Sequence, residues 1–284
     1  RVGDFIWAAA DMQAKGFLLG ATSGRTTLNG EGLQHQDGHS HLHSSTVPNC
    51  VSYDPTYAYE LAVVMQDGLR RMYGENENVF YYITLSNEAY QQPALPEGVE
   101  EGIRKGMYLL REEAEAAEGA PRVQLLGSGA ILREVLEAAD LLAADCGVAA
   151  DVWSVPSFTE LRRDGLSVDR RNRLHPGDER RQSYIEECLG GRSGPVIAST
   201  DYMRTVADQI RNWVPGRYVT LGTDGFGRSD TRETLRRFFE VDRHHVVVAA
   251  LWALAEEGTV ERDKVAEAIE RYDIEVGTED PWKV

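Results

Sequence analysis

Residues 122–155, RVQLLGSGAILREVLEAADLLAADCGVAADVWSV, contain the pattern that decides the predicted fold. A short apolar run at 123–126 leads through a Gly-Ser-Gly turn into an amphipathic segment at 131–144, and a second apolar run follows at 152–155. Short apolar runs beside glycine are typical of buried strands, and apolar residues at a spacing near 3.6 indicate a helix. Two strands flanking one helix predict a parallel βαβ unit.

The same alternation continues toward the end of the chain, and it predicts an α/β fold with a mostly parallel sheet. The further predicted strands are 196–199 and 218–222, and the further predicted helices are 158–163, 202–213, 231–239, 244–256 and 263–272. Residues 162–181 are dense in arginine and are predicted to form a surface excursion. The Gly-Ser-Gly turn lacks the third glycine of a dinucleotide motif, because Leu132 stands there, so a tight strand-to-helix turn is favoured over nucleotide binding.

The first part of the chain has helix and strand patterns of its own. Helical spacing predicts helices at 1–20 and 57–73, and β-branched and aromatic residues predict a strand at 79–84. Two prolines and a glycine at 91–98 are typical of a linker. We therefore predict a first domain over 1–92, a linker over 93–98 and a second domain over 99–284.

A histidine-rich stretch at 21–49 has no apolar periodicity, and we predict that it is an ordered active-site loop with brief turns. Four of the seven histidines fall within nine positions: His35, His39, His41 and His43. Three of them alternate, so an extended strand would point them to one side, with Asp37 nearby. The helical H-E-x-x-H spacing of zinc enzymes is missing. Proton transfer or substrate binding is the first interpretation, structural hydrogen bonding the second and metal binding the third.

Composition excludes several classes of protein. A formal charge of −16 argues against nucleic acid as a partner, because phosphates would be repelled. With 42% hydrophobic residues the chain is globular, and no apolar run is long enough to span a bilayer. Three scattered cysteines fit no metal or disulfide framework. These observations predict a cytoplasmic protein without membrane partners.

Several motifs together carry a resemblance to a known family. They are GRTTLNGEGLQHQDGHSH from Gly24, PNCVSYDPTYAYE from Pro48, EGIRKGMY from Glu101, SFTELRRDG from Ser157, ASTDYMR from Ala198 and LGTDGFGRSD from Leu221. The chain resembles the homodimeric bacterial pyruvate dehydrogenases, the thiamine-diphosphate-dependent decarboxylating component of the pyruvate dehydrogenase complex. Its QDGHSH is similar to the EDGPTH loop of the wider transketolase group.

This resemblance implies the end of a pyrimidine-binding domain followed by a transketolase C-terminal-like α/β domain. It also implies thiamine diphosphate and Mg²⁺ as cofactors. The family holds them with a G-D-G motif followed by asparagine, and a glutamate activates the cofactor. The 284 residues contain no G-D-G motif, and we expect that motif and the glutamate upstream of Arg1. The resemblance therefore implies no metal ligand here, and it implies that this chain alone is an inactive fragment.

The resemblance also assigns site residues within the histidine-rich stretch. The family's substrate-side histidine falls on His35, an active-site glutamate on Glu31 and the histidine of the transketolase group on His41, and these three are the predicted catalytic residues. His35 and His39 are the predicted substrate-binding residues. Gln36 stands where the family often has glutamate.

A second segment, residues 223–230, could ligate a cation, but it has too few oxygen ligands for a calcium loop. We predict that Ser229 or Asp230 begins the following helix as its N-cap. The resemblance places this segment away from the thiamine ring.

The implied activity is decarboxylation of pyruvate and transfer of the acetyl group to the lipoyl domain of dihydrolipoamide acetyltransferase, which feeds acetyl-CoA synthesis. Such chemistry needs donors to a carboxylate and a proton carrier near neutral pH, which imidazoles supply. The implied assembly is a homodimer. The alternatives are a transketolase, another 2-oxo acid dehydrogenase, or a non-catalytic dimerisation or docking module. A G-D-G motif encoded upstream would favour the enzyme.

Overall fold

The computed structural model describes residues 3–113 and 119–284. The predicted beginning of the first helix at Arg1 therefore lies outside the described residues. The helices within these ranges are α1 (Gly3–Asp11), α2 (Ser40–Ser45), α3 (Ala58–Leu69), α4 (Glu100–Lys105), α5 (Leu132–Leu141), α6 (Phe158–Leu174), α7 (Tyr184–Leu189), α8 (Thr205–Asp208), α9 (Arg232–Phe238), α10 (Arg243–Glu256) and α11 (Arg262–Arg271). The strands are β1 (Phe17–Ala21), β2 (Cys50–Tyr53), β3 (Phe80–Leu85), β4 (Tyr108–Arg111), β5 (Arg122–Gly127), β6 (Ala149–Ser154), β7 (Val196–Ser199) and β8 (Tyr218–Leu221).

A three-stranded parallel sheet with the order β1-β3-β2 lies in the first part of the chain. The predicted helix over 1–20 is wrong beyond Asp11, because Phe17–Ala21 is strand β1. Every residue of β1 pairs with β3, from Phe17 beside Tyr81 to Ala21 beside Leu85. This pairing between distant segments overrides the local helical spacing.

A five-stranded sheet with the order β4-β6-β5-β7-β8 forms the second part. Only β4 is antiparallel to its neighbour within this sheet, which confirms the predicted α/β fold with a mostly parallel sheet. The chain runs from β5 through α5 to β6 on one side and then returns to β7 on the other side of β5. The carboxyl ends of β5 and β7 therefore border the crevice at which such sheets commonly bind ligands.

In this protein the first part of the chain occupies that crevice. The amide of Arg25 donates to the Asp201 carbonyl at 3.0 Å, and the amide of Met203 donates to the Gly38 carbonyl at 2.9 Å. On the β5 side, the amide of Gly129 donates to the Asp54 carbonyl at 3.2 Å. The histidine-rich stretch and the end of β2 are thus built against the carboxyl edge of the second sheet.

Several predicted boundaries in the second part need correction. Helix α6 continues to Leu174, because arginine and leucine are good helix formers and the segment has no proline before Pro176, so the predicted arginine-rich excursion is largely helical. The helix predicted over 202–213 is reduced to the four residues of α8 and the turns around it. Helices α4 and α7 and strands β2 and β4 were not predicted, since each has only four to six residues.

One hydrophobic core joins both sheets. Val64 and Ile83 from the first part and Ile103 and Leu125 from the second belong to the same buried cluster. Residues 91–98, between the two sheets, are mostly exposed and contain neither helix nor strand. The division into domains 1–92 and 99–284 stays a prediction. In the described ranges, none of the helices combines the length and the apolar character needed to cross a bilayer.

Candidate active site

The histidine-rich stretch consists of turns over residues 23–38 and then the short helix α2. The Asp37 side chain stabilises the start of this helix. Its Oδ1 accepts hydrogen bonds from the amides of His39 and Ser40, both at 3.0 Å, and its Oδ2 accepts from the Ser40 hydroxyl. These bonds satisfy amides at the helix start that have no partner within the helix. The prediction of a loop throughout is wrong for Ser40–Ser45.

Helix α2 separates the three alternating histidines. His39 and His43 are four residues apart and lie on one face, with ring centroids 4.9 Å apart. His41 lies on the opposite side and is buried. The arrangement expected of an extended strand, with all three on one side, is therefore absent.

His35 and Glu31 face each other across a turn. The Nδ1 atom of His35 is 3.4 Å from Oε2 of Glu31, and the two side chains are 53% and 52% exposed. The amide of His35 donates to the Gly32 carbonyl at 3.3 Å, which closes the turn between them. The structure therefore brings together the predicted catalytic histidine and glutamate, with both side chains open to solvent.

These two side chains line a cleft of about 500 Å³. The other lining residues are Gly20, Ala21, Thr22, Leu28, Asp37, Ser40 and Tyr82. Burial raises the pKa of Tyr82 to about 12, so its phenol is neutral at physiological pH. A Cβ atom on Gly20 would lie 2.4 Å from the Tyr82 hydroxyl, so glycine is what lets this hydroxyl reach the β1 backbone. The cleft therefore combines an imidazole–carboxylate pair with neutral hydroxyl groups.

His41 is 4% exposed and lies behind this cleft. Its Nδ1 is 2.6 Å from the Ser52 hydroxyl and its Nε2 is 3.1 Å from the Thr84 hydroxyl. The Thr84 hydroxyl donates to Asp54 at 2.7 Å, so it accepts from Nε2–H of His41, and Nδ1 accepts from Ser52. Burial lowers the pKa of His41 to about 4, so the ring is neutral. A catalytic role for His41 stays a prediction, and His41 is not among the residues that line the cleft.

His39 and His43 line a second cleft of about 500 Å³ on the other side of Ser40 and Tyr82. Its remaining walls include Trp7, Leu18 and Cys50, and they are largely apolar. Ser40 and Tyr82 line both clefts. His39 therefore lies near the cleft that His35 lines, but the His39 side chain lines the second cleft. The substrate-binding role of His39 stays a prediction.

Gln36 is 3% exposed and points away from the cleft toward residues 223–230. This segment therefore contacts the histidine-rich stretch directly, which the sequence did not indicate. The N-cap of α9 is Thr231, whose side chain accepts from the Thr234 amide, so the prediction of Ser229 or Asp230 is wrong. Asp224 does not face a cation site, because it pairs with Arg204 at 2.5 Å.

Two buried carboxylates behind the site were not predicted. Burial raises the pKa of Asp54 to about 7 and that of Asp201 to about 6. Asp201 accepts a hydrogen bond from the Thr26 amide at 3.0 Å. Burial lowers the pKa of Arg25, and the negative charge of Asp201 offsets part of this decrease. Asp54 follows β2 directly and Asp201 follows β7 after one residue, and this position at a strand end was the signal available in the sequence.

The described ranges, 3–113 and 119–284, contain no group of three or more His, Cys, Asp or Glu side chains that could hold a metal ion. Asp37, the carboxylate nearest the histidines in sequence, accepts hydrogen bonds from amides at the start of α2. His35 and Glu31 line the same open cleft as a pair, and such an arrangement is suited to proton transfer and hydrogen bonding.

Comparison with known proteins gives the family. Residues 1–93 match the pyruvate dehydrogenase E1 component middle domain, and residues 106–242 match the transketolase-like TK C-terminal domain. The chain is 66% identical over 282 residues to the pyruvate dehydrogenase E1 component of Pseudomonas aeruginosa, covering 99% of this chain and 32% of that protein. It is 62% identical over 284 residues to that of Cupriavidus necator, covering 100% and 32%.

Among solved structures, transketolase from Campylobacter jejuni is similar, with a TM-score of 0.60 and 20% identity over 88% of this chain and 34% of that chain. At this identity the similarity shows the fold alone. The chain spans about a third of the length of the curated relatives it matches. These matches confirm the resemblance stated from the motifs, and the chain belongs to the pyruvate dehydrogenase E1 component family.

Proposed function

We propose that the chain is part of a thiamine-diphosphate-dependent enzyme that decarboxylates pyruvate and transfers the acetyl group to the lipoyl domain of dihydrolipoamide acetyltransferase. The observation that carries the proposal is the pairing of His35 with Glu31 in an open cleft. Both residues lie within the segment that matches the E1 middle domain. The proposal includes a homodimer, Mg²⁺ as the ion at the diphosphate and a cytoplasmic location.

Thiamine diphosphate would supply the electron sink for breaking the bond to the carboxylate. The described residues do not fit the diphosphate and its metal ion, because no set of metal-ligating side chains lies together in these ranges. We therefore assign this chain to the substrate side of the site and derive no step through the cofactor. In this assignment the cofactor groups belong to the part of the protein outside this chain.

His35 is the proposed proton carrier. When Glu31 accepts a hydrogen bond from Nδ1–H, the tautomer is fixed and Nε2 is free to exchange a proton with substrate. The neutral hydroxyl group of Tyr82 offers a hydrogen bond to a carboxylate or an alkoxide without adding charge, whereas the Ser40 hydroxyl already donates to Asp37. The combination of an imidazole–carboxylate pair with a neutral donor supports chemistry on a 2-oxo acid.

The two remaining histidines have different proposed roles. His39 contributes to substrate binding from the adjacent cleft, since Ser40 and Tyr82 form the wall between them. His41 contributes as a neutral imidazole behind that wall, where it orders Thr84 and packs on Tyr82 with ring centroids 5.5 Å apart. Its effect on turnover would therefore be exerted through other residues.

A chimera tests the proposal. This chain replaces the corresponding third of a full-length E1 relative, and release of carbon dioxide from pyruvate is measured with thiamine diphosphate, Mg²⁺ and an artificial electron acceptor. We expect turnover within tenfold of the parent relative. A folded, dimeric chimera that does not decarboxylate pyruvate but transfers two-carbon units between sugar phosphates would contradict the proposal and indicate transketolase activity instead. The His35→Ala chimera serves as the negative control.

A further inference from the structure

We infer that Gln36 is a positioning residue, which holds His35 in its working orientation by fastening the histidine-rich stretch to residues 227–230. This inference rests on the proposed function, because it assigns Gln36 a part in the turnover that His35 supports. Among the described hydrogen bonds of the Gln36 side chain, only the one to the Leu28 carbonyl reaches a residue that lines the cleft. Its effect on the reaction therefore passes through its neighbour in the chain.

The side-chain amide of Gln36 uses its donors and its acceptor on backbone groups. Nε2 donates to the Leu28 carbonyl at 2.6 Å and to the Arg228 carbonyl at 2.8 Å. Oε1 accepts from the Arg228 amide at 2.8 Å. The amide thus pairs with both backbone groups of one residue, as a neighbouring strand would. Because the group is buried, loss of these bonds would leave polar atoms without partners.

The backbones around this amide approach closely. A Cβ atom on Gly227 would lie 2.7 Å from Oε1 of Gln36, and one on Gly32 would lie 2.6 Å from the Ser229 hydroxyl. The Gly30 amide also donates to the Asp230 carbonyl at 3.0 Å. Glycine at 227 and at 32 therefore permits the two segments to approach each other. Among the described side chains at this contact, Gln36 is the one that makes three hydrogen bonds.

His35 depends on this attachment because it has few contacts of its own. Its side chain is half exposed, with Glu31 as the partner of Nδ1 at 3.4 Å. Its backbone is fixed between the Gly32 carbonyl on one side and buried Gln36 on the other. If Gln36 were released, the turn that sets the His35–Glu31 separation would lose one of its two anchors.

In this chain the surroundings of Gln36 suit a neutral group that both donates and accepts, although the resembling family often has glutamate at this position. An ionised glutamate would accept from the Arg228 amide but would place its charge against the carbonyls of Leu28 and Arg228. A protonated glutamate could donate one hydrogen bond. Gln36→Glu should therefore retain kcat at low pH and lose it as the carboxyl ionises, which a purely steric role would not produce.

The test compares Gln36→Leu with a matched control in the full-length enzyme. Gln124→Leu removes another buried amide, which donates to Asp151 at 2.9 Å and accepts from Trp153 Nε1 at 2.9 Å within the second sheet. We expect Gln36→Leu to lower kcat on the order of 10- to 100-fold with KM for pyruvate within about threefold. Gln124→Leu should lower the melting temperature and leave kcat per folded molecule unchanged.

A double-variant cycle shows the route of the effect. If Gln36 acts through His35, the enzyme with both His35→Ala and Gln36→Leu turns over no more slowly than His35→Ala alone. Additive losses, or an unchanged kcat in Gln36→Leu, would overturn the inference. Hydrogen exchange of the Gly30 and Arg228 amides gives a readout without turnover: it should accelerate in Gln36→Leu and stay slow in Gln124→Leu. Accelerated exchange in an enzyme that never acts on pyruvate would refute the proposed function and leave the attachment established.

Discussion

His41 and Tyr202 meet edge to face, with ring centroids 4.6 Å apart and an angle of 86° between their planes. His41 belongs to α2 in the first part of the chain, whereas Tyr202 follows β7 in the second. Both are buried, and burial raises the pKa of Tyr202 well above its ordinary value, so two neutral polar rings form this contact. The histidine that the family resemblance assigned to catalysis therefore also packs at the junction of the two parts of the chain.

Replacing His41 with alanine should lower the free energy of unfolding by about 2–4 kcal/mol, because it removes two buried hydrogen bonds, to the Ser52 and Thr84 hydroxyls, and opens space beside Tyr202. Denaturant unfolding measures this loss. The exposed His43→Ala variant is the control and should change the same quantity by less than about 0.5 kcal/mol. A His41→Ala protein of full stability but without turnover would instead support the predicted catalytic role.

The buried Asp54 carboxyl should make stability depend on pH. Its pKa is raised from 3.8 to about 7 by burial, so the folded state holds the proton more tightly than the unfolded state. Stability contributed by this group is complete below pH 3.8 and is lost as pH rises to about 7. Buried His41, with its pKa lowered to about 4, has the opposite effect between pH 4 and 6.5.

The variant Asp54→Asn separates these two effects. Because asparagine is neutral, the free energy of unfolding of the Asp54→Asn variant, relative to that of the native protein, should increase between pH 4 and 7 by a total on the order of 2–4 kcal/mol. Above pH 7 the difference between the two proteins should remain constant. Melting temperatures measured at pH 4, 6 and 8 test this. A constant difference across the three values would mean that Asp54 ionises as freely in the folded protein as in the unfolded chain.

His35→Ala should lower turnover of pyruvate by on the order of ten- to a thousand-fold in the full-length enzyme, because the proposed proton carrier is removed. Folding should be nearly unaffected, since the side chain is half exposed. His43→Ala should retain most activity because it lines the other cleft. An unimpaired His35→Ala enzyme, or one that loses only thermal stability, would remove His35 from the site.

Limited proteolysis should cut first within the exposed residues 91–98 or 175–181. Strand β5 should resist, because its backbone is paired on both sides by β6 and β7. Mass spectrometry of early fragments from a non-specific protease measures the order. Early cleavage within β5 would contradict the two-domain prediction.

The 284-residue chain by itself should bind thiamine diphosphate negligibly and release no carbon dioxide from pyruvate. The G-D-G motif is absent from its sequence, and the described residues provide no metal-binding group. Titration calorimetry with Mg²⁺ present tests the first statement. Micromolar affinity would mean that this chain, rather than the remainder of the protein, provides the diphosphate site.

The sequence predicted the second sheet well because its strands are short apolar runs between amphipathic helices, as at β5, α5 and β6. It failed where pairing between distant segments decides the outcome. Strand β1 has helical apolar spacing but is fixed by β3. Strand β4 has four residues and is defined mainly by antiparallel pairing with β6.

At the site, the family resemblance assigned His35 and Glu31 to the active site, and the structure has these two side chains facing each other, four residues apart, across a turn. The sequence could not show that Asp37 caps the start of helix α2, and this helix decides where the next histidines point. The sequence also could not show the contact between Gln36 and Arg228, because 192 residues separate them and no local sequence pattern indicates that they are close in space. Local geometry was predictable, and contacts across the fold were not.

The split of three alternating histidines between two faces of α2 has a consequence for divergence among homologues. His41 is enclosed by Ser52, Thr84 and Tyr202, so a change there requires compensating changes at several positions. His43 is exposed on the opposite face and can be exchanged alone. Although they are two residues apart, the first should drift slowly and together with its neighbours, whereas the second should vary freely from one lineage to the next.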